Sequence, residues 1–209
     1  MERINGASQA VGNSARFGVG SDYFDIDSSG EVSLSGEAKG LLTLRPNIQF
    51  DEIRKVAKPD LVTLGANTYY SLPIYNNDNE EIFGDLRAPY RWDGVTAPKV
   101  RVLACLTGTE TVGHAISISI AYSSVATIGA ISATTATLSS ERRVVSGRNA
   151  QYSCYSFSFT LATDMSPRDN LSFLLRRSSA TIATDISNEL GALDWAVEWE
   201  SDKLYGNEQ

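Results

Sequence analysis

The side chains able to do chemistry in this chain are few, and their spacing argues against most reactions. There is one histidine, His114. A nucleophilic triad needs an imidazole beside Ser or Cys, oriented by a third group. His114 instead opens an alternating run, on the same parity as Ile116 and Ile118, which is the position of a structural strand-end residue. No Gly-x-Ser-x-Gly elbow and no glycine-rich phosphate loop occur. Asp25-Ile26-Asp27-Ser28-Ser29-Gly30-Glu31 sets oxygens at alternate positions before a glycine, as in the first half of a calcium loop. The position that needs a bidentate glutamate is Gly36, so the stretch reads as a β-turn. Carboxylate groups that would suit glycoside hydrolysis, Asp78 with Glu80 and Glu81 and Asp194 with Glu198, fall in a turn and on a polar strand face. Cys105 and Cys154 lie in separate strand candidates and read as free, buried thiols. No catalytic residue, cofactor or metal is therefore expected, and the chain reads as a non-enzyme.

What remains is a loop. Arg87, Tyr90, Arg91 and Trp92 cluster there, and aromatic faces beside guanidinium groups stack on a sugar or pack on a protein neighbour. These four are the candidate interaction residues. The competing reading makes the aromatics a plug at one end of the domain. Two basic pairs, Arg142-Arg143 and Arg176-Arg177, read as partners for the carboxylates of a neighbouring subunit.

The elements that must position these residues are strands. Lys99–Leu106 alternates, with Val100, Val102, Ala104 and Leu106 on one face. His114–Tyr122 carries Ile116, Ile118, Ile120 and Tyr122 on one face and Ser117, Ser119 and Ala121 on the other. Gln151–Leu161 alternates Tyr155, Phe157, Phe159 and Leu161 with small polar residues. Leu171–Arg177 and Leu193–Trp199 follow the same rule, with Trp195, Val197 and Trp199 pointing one way. Shorter strands are expected around Tyr23–Asp27, Val32–Leu34, Leu41–Leu44, Tyr69–Tyr75 and Glu80–Leu86, and a helical turn or two over residues 51–58. Residues 123–140 form either a long loop or a strand of small residues. Eight to ten short strands with almost no helix predict an all-β, antiparallel two-sheet sandwich of jelly-roll type, with a closed barrel as the alternative.

Composition agrees with one such domain. The chain has 209 residues, enough to bury a core without disulfides or metal. Its 25 acidic against 18 basic residues leave a net charge of −7, unfavourable for nucleic acid or an anionic membrane. No secretory signal and no membrane-length apolar run occur. Residues 1–20, rich in Gly, Ser and Asn, read as a flexible N-terminal arm, and residues 21–209 as a single β domain.

Three stretches carry a family likeness. Ser29-Gly30-Glu31-Val32-Ser33-Leu34-Ser35-Gly36-Glu37-Ala38 resembles the opening motif of a family of tailed-phage and prophage proteins. Glu80-Glu81-Ile82-Phe83, Ala88-Pro89-Tyr90, Trp92-Asp93-Gly94 and Pro98-Lys99-Val100-Arg101-Val102 are similar to its central block. The run from Trp195 to Gly206 resembles its closing strand and Asp-x-x-Gly ending. The family's Pro-His is Pro89-Tyr90 here, and its His-x-His strand becomes Arg101-Val102-Leu103, so no role of those histidines transfers. The resemblance implies a virion structural protein assembled in the host cytoplasm. Within that class the chain reads as a capsid decoration or cement protein, trimeric, with the major capsid protein or other virion proteins as partner. A head-fibre or tail component that binds host glycans is the alternative.

Overall fold

Short runs of alternating apolar and small polar residues, rich in β-branched and aromatic types, favour extended backbone over helix. The computed structural model describes residues 8–11, 14–27, 32–36, 39–49, 61–72, 81–125, 134–162 and 164–202. Fifteen strands run through them: β1 (Ser8–Val11), β2 (Ser14–Val19), β3 (Asp22–Ile26), β4 (Val32–Leu34), β5 (Gly40–Leu44), β6 (Asn47–Gln49), β7 (Leu61–Leu64), β8 (Asn67–Leu72), β9 (Ile82–Arg87), β10 (Lys99–Leu106), β11 (Ala115–Val125), β12 (Thr134–Arg143), β13 (Cys154–Thr160), β14 (Asn170–Arg177) and β15 (Leu190–Ser201).

They form three antiparallel sheets. One has the order β12-β11-β14-β9-β6. A second has the order β13-β10-β15-β8-β7, with β5 also paired to β15. β8 and β5 share one edge of β15, since β8 meets Leu190–Ala192 and β5 meets Val197–Ser201. The third sheet is the meander β1-β2-β3-β4.

The first two sheets face each other across one core. Ile116, Ile118, Ile120, Leu171, Phe173 and Leu175 come from one side, and Val100, Val102, Phe157, Trp195, Val197 and Trp199 from the other. The rings of Phe173 and Trp195 meet edge-on across the gap, 6.0 Å apart. The expected all-β, two-sheet sandwich is therefore the observed architecture. The core cluster includes no described residue of β1 to β4. That meander attaches instead at the end of β15, where the Leu34 N–H donates to the Asp202 carbonyl.

Two features depart from simple alternation. Between Leu103 and Ala104 the pairing of β10 with β15 slips by one residue, because Asp194 faces Leu103 while Ala192 faces Ala104. Leu193 is the extra residue of this β-bulge. Both Leu190 before it and Trp195 after it can then face the core, although they differ in parity. β11 is covered on both faces: Ser117 and Ser119 are as buried as Ile116 and Ile118. The Ser117 hydroxyl bonds to that of Ser178 at 2.8 Å, and Ser119 accepts from Arg176.

The ambiguous stretch 123–140 resolves as the end of β11 and the start of β12, with residues 126–133 outside the described residues. The helical turn expected at 51–58 also lies outside them. Where the sequence reads as an arm, residues 8–11 and 14–19 pair as β1 and β2 and continue into β3.

Candidate functional site

β9 ends at Arg87, and the chain turns across one end of the sandwich. Ala88 N–H donates to Asp169 and Arg168 N–H to Ala88, so the loop is laced to the turn before β14. That turn spans Ser166–Asp169, with Pro167 second and Arg168 third at φ 74°. Proline followed by a positive φ is the pattern of a type II turn, whose third position ordinarily takes glycine. The Asp169 carboxylate accepts from Ser166 N–H at 2.8 Å and braces the turn. The left-handed backbone at Arg168 carries its guanidinium over the Tyr90 ring, 4.5 Å from the centroid.

Arg87, Tyr90 and Arg91 line one open groove of about 330 Å³ with Arg168, Leu42 and Leu44. Three of the four residues singled out from sequence thus converge. Arg87 is exposed and donates to the Arg168 carbonyl at 3.1 Å, and Tyr90, Arg91 and Arg168 are half-buried. The groove offers guanidinium groups, one aromatic face and a leucine floor. Guanidinium groups beside an aromatic face can pair with an acidic group or stack on a ring. Arg168 escaped the sequence reading, since nothing local ties it to residue 90. The Pro167-Arg168 dipeptide in a turn was the only signal available.

Trp92 leaves the candidate set. It is 1% exposed, its ring meets Trp199 edge-on at 5.2 Å, and its indole N–H donates to the Thr96 carbonyl at 2.9 Å. It closes the end of the sandwich, which is the plug reading. Asp93 beside it anchors the loop. Its side chain is 2% exposed and pairs with Lys39 at 2.6 Å, and it accepts from the Thr96 hydroxyl and from the N–H groups of Val95 and Thr96. Burial pushes its pKa up, but these donors outweigh burial and hold it at about 2.

The other sequence candidates are engaged structurally. Glu81 pairs with Arg176, Asp194 with Arg45, and Glu198 with Arg101; Asp78 and Glu80 lie outside the described residues. Asp25 holds Arg16 through both oxygens at 2.7 Å. Among the described residues no group of three or more His, Cys, Asp or Glu side chains is arranged to hold a metal. His114 is half-buried immediately before β11.

The basic pairs also have partners within the chain. Arg143 donates to the carbonyls of Gly113 and Ile182. Arg177 is buried and donates to Asn188 and Ile186 carbonyls, and burial lowers its pKa. The loop it supports is pinned by Glu110, a buried carboxylate that the sequence reading passed over. Glu110 accepts from the N–H groups of Ser187 and Asn188 and from both side chains.

Cys105 and Cys154 are both thiols. Cys105 is buried as expected, but Cys154 is exposed, since Tyr155 and Phe157 turn toward the core and leave Cys154 on the outer face of β13.

No protein-family model matches this chain, and no curated protein sequence does. Among solved structures that match is a chain from the structure of infectious bursal disease virus, Gt strain. Identity is 9%, the TM-score is 0.30, and the match covers 90% of this chain and 43% of that chain. This chain thus spans less than half the length of that neighbour, and a TM-score of 0.30 is too low to define a shared fold. The phage-family resemblance has no counterpart in these matches.

Proposed function

We propose that this chain is a virion structural protein, a decoration or cement protein on a phage head that binds the major capsid protein and acts without catalysis. The observation that carries the reading is the strand path. β5, β10, β13 and β15 lie in one sheet in the order β5-β15-β10-β13, and β9, β11, β12 and β14 in the other in the order β9-β14-β11-β12. Taken alone, these eight strands cross between the sheets at every step except β11 to β12, while β6, β7 and β8 intervene between β5 and β9 at the sheet margins. We read this path as a double Greek-key winding of the jelly-roll kind found in viral capsid and lectin domains. The support is an analogy of fold, since one architecture hosts many functions.

A second feature supports the same reading. No described residue of the meander β1–β4 joins the sandwich core cluster, and the meander presents the stacked pair Phe17 and Phe24, with Phe17 42% exposed. A sheet with an exposed aromatic pair suits contact with a neighbour on a lattice. The protein is expected as a trimer in the particle.

Quantitative proteomics of purified particles tests the proposal. Copies in the hundreds per particle support a decoration protein, and absence from the particle overturns it. The groove of Arg87, Tyr90, Arg91 and Arg168 favours a second reading, a fibre or tail component that recognises an acidic glycan. Glycan-array binding lost on Tyr90→Ala, together with a few copies at one vertex, would select it.

A further inference from the structure

Cys105 of β10 and Cys154 of β13 are register partners in adjacent antiparallel strands. The hydrogen bonds around them define the kind of pair. On one side Leu106 N–H donates to Ser153 O and Tyr152 N–H to Leu106 O, each at 2.9 Å. At the far end of the ladder Leu161 N–H donates to Pro98 O at 2.9 Å. Even-numbered residues of β10 are therefore the hydrogen-bonded positions, and Cys105 faces Cys154 at a non-hydrogen-bonded one. Such partners have Cα atoms about 4.5 Å apart with their side chains close together, within the roughly 4.4–6.8 Å that a disulfide spans.

Both side chains leave the same face. Ala104, Leu106 and Tyr155 turn toward the core, so Cys105 and Cys154 turn away from it. Cys105 is 3% exposed, whereas Cys154 is open to solvent. The thiols interact: burial first, then contact with Cys154, pushes the Cys105 thiol up to about 12.

We infer that Cys105 and Cys154 form an intramolecular disulfide pair, closed through the exposed Cys154 by a small-molecule disulfide such as oxidised glutathione. Cys154 loses its proton, attacks one sulfur of the reagent and expels one thiolate, leaving a mixed disulfide. Cys105 then loses its proton, attacks the Cys154 sulfur and expels the second thiolate. Two protein thiols are oxidised and one reagent disulfide is reduced to two thiols. The second step is the slower one, because the thiolate is the attacking species and Cys105 is buried. The bond ties β13, an edge strand of its sheet among the described residues, to its ladder partner there, β10.

The test uses the folded full-length chain, incubated with oxidised glutathione, quenched by alkylation and read by intact mass and peptide mapping. The expected sequence is an adduct of one glutathione on Cys154, then a species two hydrogens lighter than the reduced chain, with Cys105 and Cys154 peptides joined. Dithiothreitol returns both cysteines to alkylation. A Cys154 adduct that never closes overturns the inference, and so does a disulfide between two chains. Cys105→Ser is expected to stop at the adduct. Cys154→Ser changes an exposed position and needs no repacking; its Cys105 should stay unmodified while the chain is folded, and an adduct there would overturn the proposed order.

Discussion

Asp93 joins the loop over residues 88–98 to Lys39 and to the end of β15, since its own N–H donates to Glu200 O. Its pKa of about 2 lies below the ordinary 3.8. The folded state therefore gains stability that is complete above the unfolded value and is lost as pH falls through the folded one. The difference corresponds to about 2 kcal/mol. Denaturant titrations should show the wild-type chain losing about that much more stability than Asp93→Asn between about pH 4 and about pH 2. Equal losses in the two proteins would remove Asp93 from the account. Trp92 is tested at the same scale. Truncating a fully buried tryptophan costs about 3–5 kcal/mol, so Trp92→Ala should lower the urea midpoint by a corresponding amount. A variant as stable as wild type that had lost ligand binding would return Trp92 to the interaction site.

Among the elements, the glycines show how closely the layers approach. A Cβ on Gly84 of β9 would stand 2.5 Å from Trp195 Cζ2 and 2.9 Å from Pro46 Cβ. Neither the indole nor the proline ring can swing aside in a packed core, so Gly84→Ala should cost about 1–3 kcal/mol. A Cβ on Gly191 of β15 would meet Leu64 Cδ1 at 2.5 Å, but that atom ends a flexible side chain. Gly191→Ala should cost less, below about 1 kcal/mol. Urea unfolding with unchanged m-values would rank the two, and the reverse order would mean that β7 is held more rigidly than the core. Strand existence and facing were legible in β10, β13 and β14 because period-two alternation is a local property. The bulge at Leu193 was not, since it follows from the fit of β15 against β10. The covered outer face of β11 was not legible either, because the residues that cover it, Arg176 and Ser178, arrive from β14 and the turn after it.

For the whole molecule, the relation of the N-terminal residues to the sandwich is open to direct test. β2 pairs with β3, with Phe17 on Phe24 and Arg16 on Asp25 and Tyr23, yet no described residue of β1 or β2 enters the core cluster. A chain lacking residues 1–20 should keep its cooperative unfolding transition, with Tm shifted by no more than about 4 °C. Under the proposed function it should also lose affinity for isolated phage heads. Collapse of the transition would make the meander an integral part of the fold.

Composition and alternation by themselves determined the all-β class, the inward residues of the long strands and the scarcity of catalytic groups, since each depends on residue type and near-neighbour spacing alone. Tertiary structure decided what rests on contacts between distant segments. It converted Trp92 from a surface candidate into a plug by placing Trp199 against it, and it brought Arg168 to Tyr90. It engaged the arginine pairs within the chain, and it set Cys105 opposite Cys154. A strand's facing is written in its own residues, but its partners are chosen by the path of the whole chain.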